Sequence, residues 1–300
     1  MRHITITGSL GSGKTVVSKL LNEKLGFEIE SIGSIQRKMA QKYGMSTFDF
    51  NKYMEIHPEF DNELDNFVKE QGQSKSPKIF DSRLAWYFVP QSLKVYLYVT
   101  DEIAACRVFN DKHRFNEKYS STDVALNNII QRRNSEVIRF KSQYNVNLEN
   151  LNNFDLIIDT SFATPEEISD KIISAYNNMQ FNKEIWLSPF TLIPTQSIIN
   201  HSINKIRNIS HIFESITKYS ENPICVIHND NKFYIYDGHK RALIAIVNKY
   251  NLLPCILLNN FTEKLMFNQS YKDYINDNLN EENILDWNDF INYLKNTSEL

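Results

Sequence analysis

The chain has 300 residues, long enough for two domains with separate cores. Its 33 Lys and Arg against 36 Asp and Glu leave a net charge of -3, so no overall basic field draws it to nucleic acid or anionic lipid. No apolar run approaches the roughly 20 residues of a membrane span, and the three cysteines, Cys106, Cys225 and Cys255, are too scattered for a disulfide framework or a CxxC zinc site.

The opening "MRHITITG" reads directly into a strand and leaves no room for a signal peptide; with the cysteine usage, this sets a cytoplasmic expectation. After "HITITG", Val17, Leu20, Leu21 and Leu25 form one apolar helical stripe. "KIFD" (Lys78 to Asp81), "KVYLYVT" (Lys94 to Thr100) and "FDLIIDTS" (Phe154 to Ser161) read as buried strands between helical stretches, the alternation of a parallel α/β sheet. Thr164 followed by Pro165 marks a further helix start. The polar stretch Asn177 to Lys183 then separates an N-terminal domain, 1–180, from a second, 184–300.

The second half has a different grammar. "SPFTLIPTQSI" carries two prolines near apolar residues and suggests a docking segment. "ENPICVIHNDNKFYIYDGHKRALIAI" reads as strand, Asn/Asp-rich turn, strand, turn and helix, and "PCILL" (Pro254 to Leu258) as a further strand. In the tail, Trp287, Phe290, Ile291 and Leu294 fall on one helical face, a core-packing stripe.

The chemistry-bearing motif is "GSLGSGKT" (Gly8 to Thr15), which fits G-x-x-x-x-G-K-[ST] between a strand and a helix. Gly8, Gly11 and Gly13 allow backbone conformations closed to residues with a Cβ, so that successive N–H groups, Ser12 among them, face one concavity. The following helix adds its positive end. Lys14 can reach β- and γ-phosphates and the Thr15 hydroxyl can ligate Mg²⁺, which makes ATP and Mg²⁺ the expected cofactors. Asp81, at the end of its strand, is a candidate to hold the metal through water or to orient the acceptor oxygen.

Transfer between two polyanions needs cations on both. Arg37 follows the second strand, Arg83 lies at the carboxyl end of another, and Arg132 and Arg139, seven apart, share a helical face while Arg133 points elsewhere. Arg114 is a weaker candidate.

In order along residues 1–178, "ITITGSLGSGKTVVSKLLNEKLGFEI", "SIGSIQRKMAQKYGMSTFDFNKYMEIHPEFDNELD", "DSRLAWYF", "RRNSEVIRFKSQYNVNLENLNNFDLIIDTS" and "TPEEISDKIISAY" are similar to the short, archaeal-type cytidylate kinases. The resemblance implies a P-loop nucleoside monophosphate kinase with a mobile lid. In it Arg37 and Arg83 would grip the acceptor phosphate, Arg132 and Arg139 would bridge donor and acceptor, and Asp61 and Asp65 would lie in the acceptor-binding region. "DKHRFNEKYSSTDVAL" is less basic than a typical lid, and "DSRLAW" replaces a more usual glycine-containing turn. The acceptor thus stays open between CMP, dCMP and another small molecule.

Residues 187–260, with "LIPTQSI" and "YIYDGHKRALIAI", resemble the ParB/sulfiredoxin-like fold. The resemblance implies a phosphate-binding turn at Asp237, Gly238, His239, Lys240 and Arg241, and so a second nucleotide or phosphorylated metabolite as ligand. No basic helix-turn-helix region follows, and the sulfiredoxin cysteine is missing from the turn, which leaves phosphotransfer, phosphate binding or a purely structural role. The expected architecture is therefore α/β: a P-loop parallel sheet with flanking helices, then a smaller ParB/sulfiredoxin-like α+β domain with a helical tail. The leading function is ATP- and Mg²⁺-dependent phosphoryl transfer to a small-molecule acceptor. The alternatives are a metabolite kinase with both domains active and a nucleotide-switched DNA-associated regulator, the latter opposed by the acidic balance.

Overall fold

The computed structural model describes residues 2–111, 119–178, 183–197, 206, 211–258 and 270–296. The chain divides into two compact units, Met1–Lys183 and Glu184–Leu300. Arg114 lies outside the described residues.

The first unit is built on five parallel strands in the order β2-β3-β1-β4-β5. They are β1 (Ile4–Gly8), β2 (Glu28–Ser31), β3 (Lys78–Asp81), β4 (Leu93–Tyr98) and β5 (Leu156–Asp159). Every residue of β1, β3 and β5 is buried. Alternate side chains point to opposite faces, so both faces of the sheet are covered, as parallel sheets require. In the central strands the register sets Ile6 beside Asp81 and Gly8 beside Leu97. The carboxyl ends of β1 and β3 therefore open on the same edge, where open α/β sheets take their ligands.

The helices around this sheet follow from their caps and stripes. Helix α1 (Lys14–Leu25) buries Val17 and Leu21 from the expected stripe and stops at Gly26, whose φ of 72° suits a glycine stop. Helices α2 (Ile32–Lys42), α3 (Thr47–Ile56) and α4 (Pro58–Gln71) enclose a cluster that includes Ala40, Phe50, Met54, Phe60 and Leu64. After α5 (Ala85–Phe88), helix α6 (Asp101–Asn110) packs on α7 (Thr122–Tyr144) through Ala104, Ala105, Val108, Ala125 and Ile129. The 23 residues of α7 begin at a Ser121 side-chain cap and end at Asn145 in the left-handed region. Helix α8 (Pro165–Asn177) opens with a full capping box: the Thr164 hydroxyl accepts from the Glu167 N–H, and the Glu167 carboxylate accepts from the Thr164 N–H.

The second unit carries β6 (Glu184–Leu187), β7 (Ile224–Asn229), β8 (Lys232–Asp237) and β9 (Leu253–Leu257) in the order β6-β9-β7-β8. The β6–β9 and β7–β8 pairs are antiparallel and the β7–β9 pair is parallel. Asp230 and Asn231, both at positive φ, make the tight turn between β7 and β8. Within "SPFTLIPTQSI", Ile193 adds one parallel rung beside Tyr234 of β8. The helix His239–Val247 buries Ala242 to Ile246, and in the tail helix Glu281–Asn296 the side chains of Trp287, Phe290 and Ile291 are buried. The Leu294 side chain lies outside the described residues.

Thr164→Ala removes the hydroxyl that accepts from the Glu167 N–H and leaves a helix-end donor without it. The expected loss is about 1 kcal/mol of unfolding free energy, read as a lower urea midpoint at unchanged slope.

Candidate active site

The loop from Gly8 to Lys14 joins the buried end of β1 to the start of α1. Gly11 and Gly13 both have φ of 81°, where a Cβ strains the backbone. At Gly11 a Cβ would also stand 2.8 Å from the carbonyl oxygen of Ala104 in α6. At Gly13, the N-cap of α1, a Cβ would meet nothing within 4 Å, because that side faces open space. This is a cradle kept clear by glycine, with the helix N-terminal end beneath it, and its shape and donor set fit a polyphosphate. Ser12 is buried, and its hydroxyl donates to the Ser9 carbonyl oxygen at 2.8 Å, bracing the turn.

Lys14 folds back along the loop, donating to the carbonyl oxygens of Gly8 at 2.8 Å and Ser9 at 3.0 Å. Burial, and then the nearby Arg83 guanidinium, lower its ammonium to about 7. The Thr15 hydroxyl donates to Asp81 Oδ2 at 3.0 Å. Asp81 is buried and Thr15 is exposed. A hydroxyl and a carboxylate, adjacent and on the phosphate side of the loop, are the hard oxygen donors that Mg²⁺ takes, so the residues present fit the metal.

Arg37, Arg83, Arg132 and Arg139 line one cleft of about 670 Å³ together with Gly11, Gly13, Lys14, Thr15 and Asp81. Arg83, just past β3, donates to the Gly8 carbonyl oxygen and pairs through Nε with Glu136 Oε2 at 3.1 Å. Arg132 Nε meets the other oxygen, Glu136 Oε1, at 3.0 Å. Arg139 donates to the Asn51 carbonyl oxygen at 3.3 Å and faces Asp61 at 3.4 Å. Arg37, more exposed on α2, donates to the Ser34 hydroxyl at 3.2 Å. Arg133 turns away from the cleft and forms a two-bond pair with Asp101 at 2.6 and 3.0 Å, as its helical position requires. Burial works to raise the Glu136 carboxyl, but Arg83, Arg132 and Arg139 outweigh it and hold the group down at about 2.

Asp61 and Asp65, one turn apart on α4, line the same cleft. Burial raises Asp61, Arg139 opposes the rise and Glu136 adds to it. Asp65 is pushed up to about 6, chiefly by burial; the hydrogen bond from the Tyr144 hydroxyl works the other way and neighbouring Asp61 adds to the rise. Buried Gln36 donates to Asn51 Oδ1 at 2.9 Å and also lines the cleft.

The sequence reading missed Glu136, Gln36 and Arg107. Glu136 was signalled by its spacing, four after Arg132 and three before Arg139, which puts all three on one face of a helix. Arg107, on α6, donates to the carbonyl oxygens of Thr160 at 2.6 Å and Ser161 at 3.1 Å and to that of Gly11 at 3.3 Å. It braces the loop from β5, a contact that no local pattern announces.

In the second unit, Gly238 caps its helix at φ 105°. His239 is buried, and its Nε2 accepts from the Thr195 N–H at 3.0 Å, so this ring stitches Thr195 to the helix and faces away from any surface phosphate. Arg241 pairs with Asp237 and donates to the carbonyl oxygens of Asn222 and Pro223, each at 2.9 Å. Lys240 is exposed. Of the five residues expected to form one anion turn, Asp237, Gly238 and Arg241 are brought together: the guanidinium pairs with Asp237 and lies 3.0 Å from where a Gly238 Cβ would stand.

The family described as an AAA domain matches residues 4–139. The cytidylate kinase of Methanobrevibacter smithii is 35% identical over 171 residues, which are 57% of this chain and 96% of that protein. The S-adenosylmethionine-dependent nucleotide dehydratase of Lacinutrix mariniflava is 36% identical over 175 residues, 58% of this chain; the chain spans 35% of that relative's length. Among solved structures, the shikimate kinase from Bacteroides thetaiotaomicron aligns over 59% of this chain and 98% of its own, with a TM-score of 0.43 and 14% identity.

A lysine lowered to about 7 must be recharged when phosphates arrive beside it. Binding of a non-hydrolysable ATP analogue at pH 8 is therefore expected to take up a proton. Its affinity should fall by up to about tenfold per pH unit above 7. Calorimetry in two buffers of different ionisation enthalpy measures the uptake, and Lys14→Arg should abolish it.

Proposed function

The chain belongs, through its N-terminal unit, to the P-loop kinases that include the archaeal cytidylate kinases, and from that premise we propose that it transfers the γ-phosphoryl group of ATP to a cytidine monophosphate-like acceptor. It is an enzyme of the nucleoside monophosphate kinase type. The observation that carries the reading is Arg83, one guanidinium touching both the phosphate loop at Gly8 and the Glu136–Arg132 pair of α7. A group so placed can neutralise charge on both sides of an in-line transfer.

Each residue then has a physical task. Loop N–H groups and the start of α1 hold the β-phosphate, and Lys14 turns from the Gly8 and Ser9 carbonyl oxygens to the β- and γ-oxygens. Thr15 and Asp81 would hold Mg²⁺, which when bound would offset negative charge on the phosphate oxygens. Arg37 and Arg83 receive the acceptor phosphate, and Arg132 and Arg139 span donor and acceptor. Asp61 and Asp65, with Gln36, face the rest of the acceptor and offer carboxylates to an amino-bearing base. Closure of α7 over the cleft would exclude water from the transferring group.

For residues 184–300 the ParB/sulfiredoxin-like reading is supported by the strand–turn–strand–Gly238–helix order. A phosphate at that turn would have to take Arg241 from Asp237 and from two carbonyl oxygens. A regulatory or scaffolding role therefore suits this unit better than a second transfer site. Three cysteines without a CxxC pair suit a reducing cytoplasm.

ADP release measured against CMP, dCMP, UMP, AMP, sugars and amino acids is expected to be fastest with CMP or dCMP. Lys14→Ala and Arg83→Ala should each lower kcat/KM by about 10²-fold or more, and Arg241→Ala should change it little. Turnover with some other metabolite, and with no nucleoside monophosphate, would overturn the cytidine reading and leave the kinase.

A further inference from the structure

Glu136 has no assigned task in this scheme, yet it pairs with two of the cleft's arginines, Arg83 and Arg132. Its side chain is 5% exposed. Its two oxygens are divided between two guanidinium groups of different elements: Oε2 to Arg83 at 3.1 Å and Oε1 to Arg132 at 3.0 Å. Arg139 contributes from the next turn of α7. Two oxygens, each held by a separate guanidinium, reproduce the contacts that a phosphate offers to the same pair.

We propose that Glu136 is a built-in stand-in for phosphate: its carboxylate occupies the anion subsite between Arg83 and Arg132 and is displaced from it by the dianionic phosphate of a bound substrate. The inference rests on phosphoryl transfer in this cleft, whatever the acceptor's base. Buried guanidinium groups without a counter-ion repel one another and pay for lost hydration; the carboxylate removes both costs while the cleft awaits substrate. A singly charged anion brings no more charge than Glu136 and cannot win the subsite. A phosphate dianion, with three oxygens and about twice the charge, can. Glu136 thus sets a threshold that selects for dianionic phosphates. It also keeps Arg83 and Arg132 engaged when ATP is bound alone, which restrains transfer to water.

The test uses inorganic phosphate as probe and the full chain. Glu136→Gln keeps the side-chain shape and removes the charge, so phosphate should bind about 10-fold tighter than to the unaltered protein, and hydrolysis of ATP without acceptor should rise. Glu136→Asp, which keeps the charge, should bind phosphate as weakly as the unaltered protein. Equal or weaker phosphate binding by a Glu136→Gln variant that melts cooperatively would sink the proposal, because a merely structural glutamate predicts that result. If Glu136→Gln fails to fold, crystals of the unaltered protein soaked in phosphate decide: phosphate should lie on Arg83 and Arg132 with Glu136 withdrawn. A Glu136 still paired to both at saturating phosphate overturns the idea. Neither readout involves a nucleotide acceptor, so failure of the cytidine reading and failure of this one are separately visible.

Discussion

Three half-buried guanidinium groups share one cleft; the buried carboxylate of Glu136 pairs with two of them, and that of Asp61 faces the third. Arg83 comes from the end of β3 and Arg132 and Arg139 from α7, and like charges at such spacing repel unless something compensates. Glu136 supplies that compensation from within the helix that carries two of the arginines. The Glu136–Arg83 pair also ties α7, which packs on α6 through its apolar face, to the segment after β3. The ordering of the cleft and its affinity for anions have one electrostatic origin.

The parallel sheet makes this arrangement reachable. Because β1 and β3 are adjacent and run the same way, the phosphate loop, Asp81 and Arg83 emerge on one edge within a few residues of each other. Local chemistry then refines the geometry. Gly11 lets the loop approach Ala104 of α6, and Arg107 ties that loop to the carbonyl oxygens after β5. Burial lowers Lys14 and raises Asp65, in each case favouring the neutral form.

The second unit illustrates how a motif can be reassigned by burial. "DGHKRA" has the composition of an anion-binding turn, and Gly238 does start a helix, with φ 105°. The polar groups are nonetheless engaged with the protein itself: His239 with Thr195, and Arg241 with Asp237 and two carbonyl oxygens. A basic residue near a helix N-terminus can serve the chain ahead of it as readily as a phosphate.

Much of this was legible in one dimension because its causes are local. Strand alternation, the Thr164–Pro165 helix start, the glycine spacing of the loop and the seven-residue interval from Arg132 to Arg139 depend only on backbone geometry and side-chain period. Those features settle what kinds of element form and which side chains share a face. Tertiary structure alone decided which faces meet. Glu136 could be placed beside Arg132 from helical period, but its second partner, Arg83, lies 53 positions earlier on another element. The reach of Arg107 to Gly11 and the inward turn of His239 toward Thr195 are likewise long-range contacts. A hydrogen-bond partner distant in sequence leaves no trace in the pattern around a residue, because the pairing energy is gained only after the sheet and helices have packed.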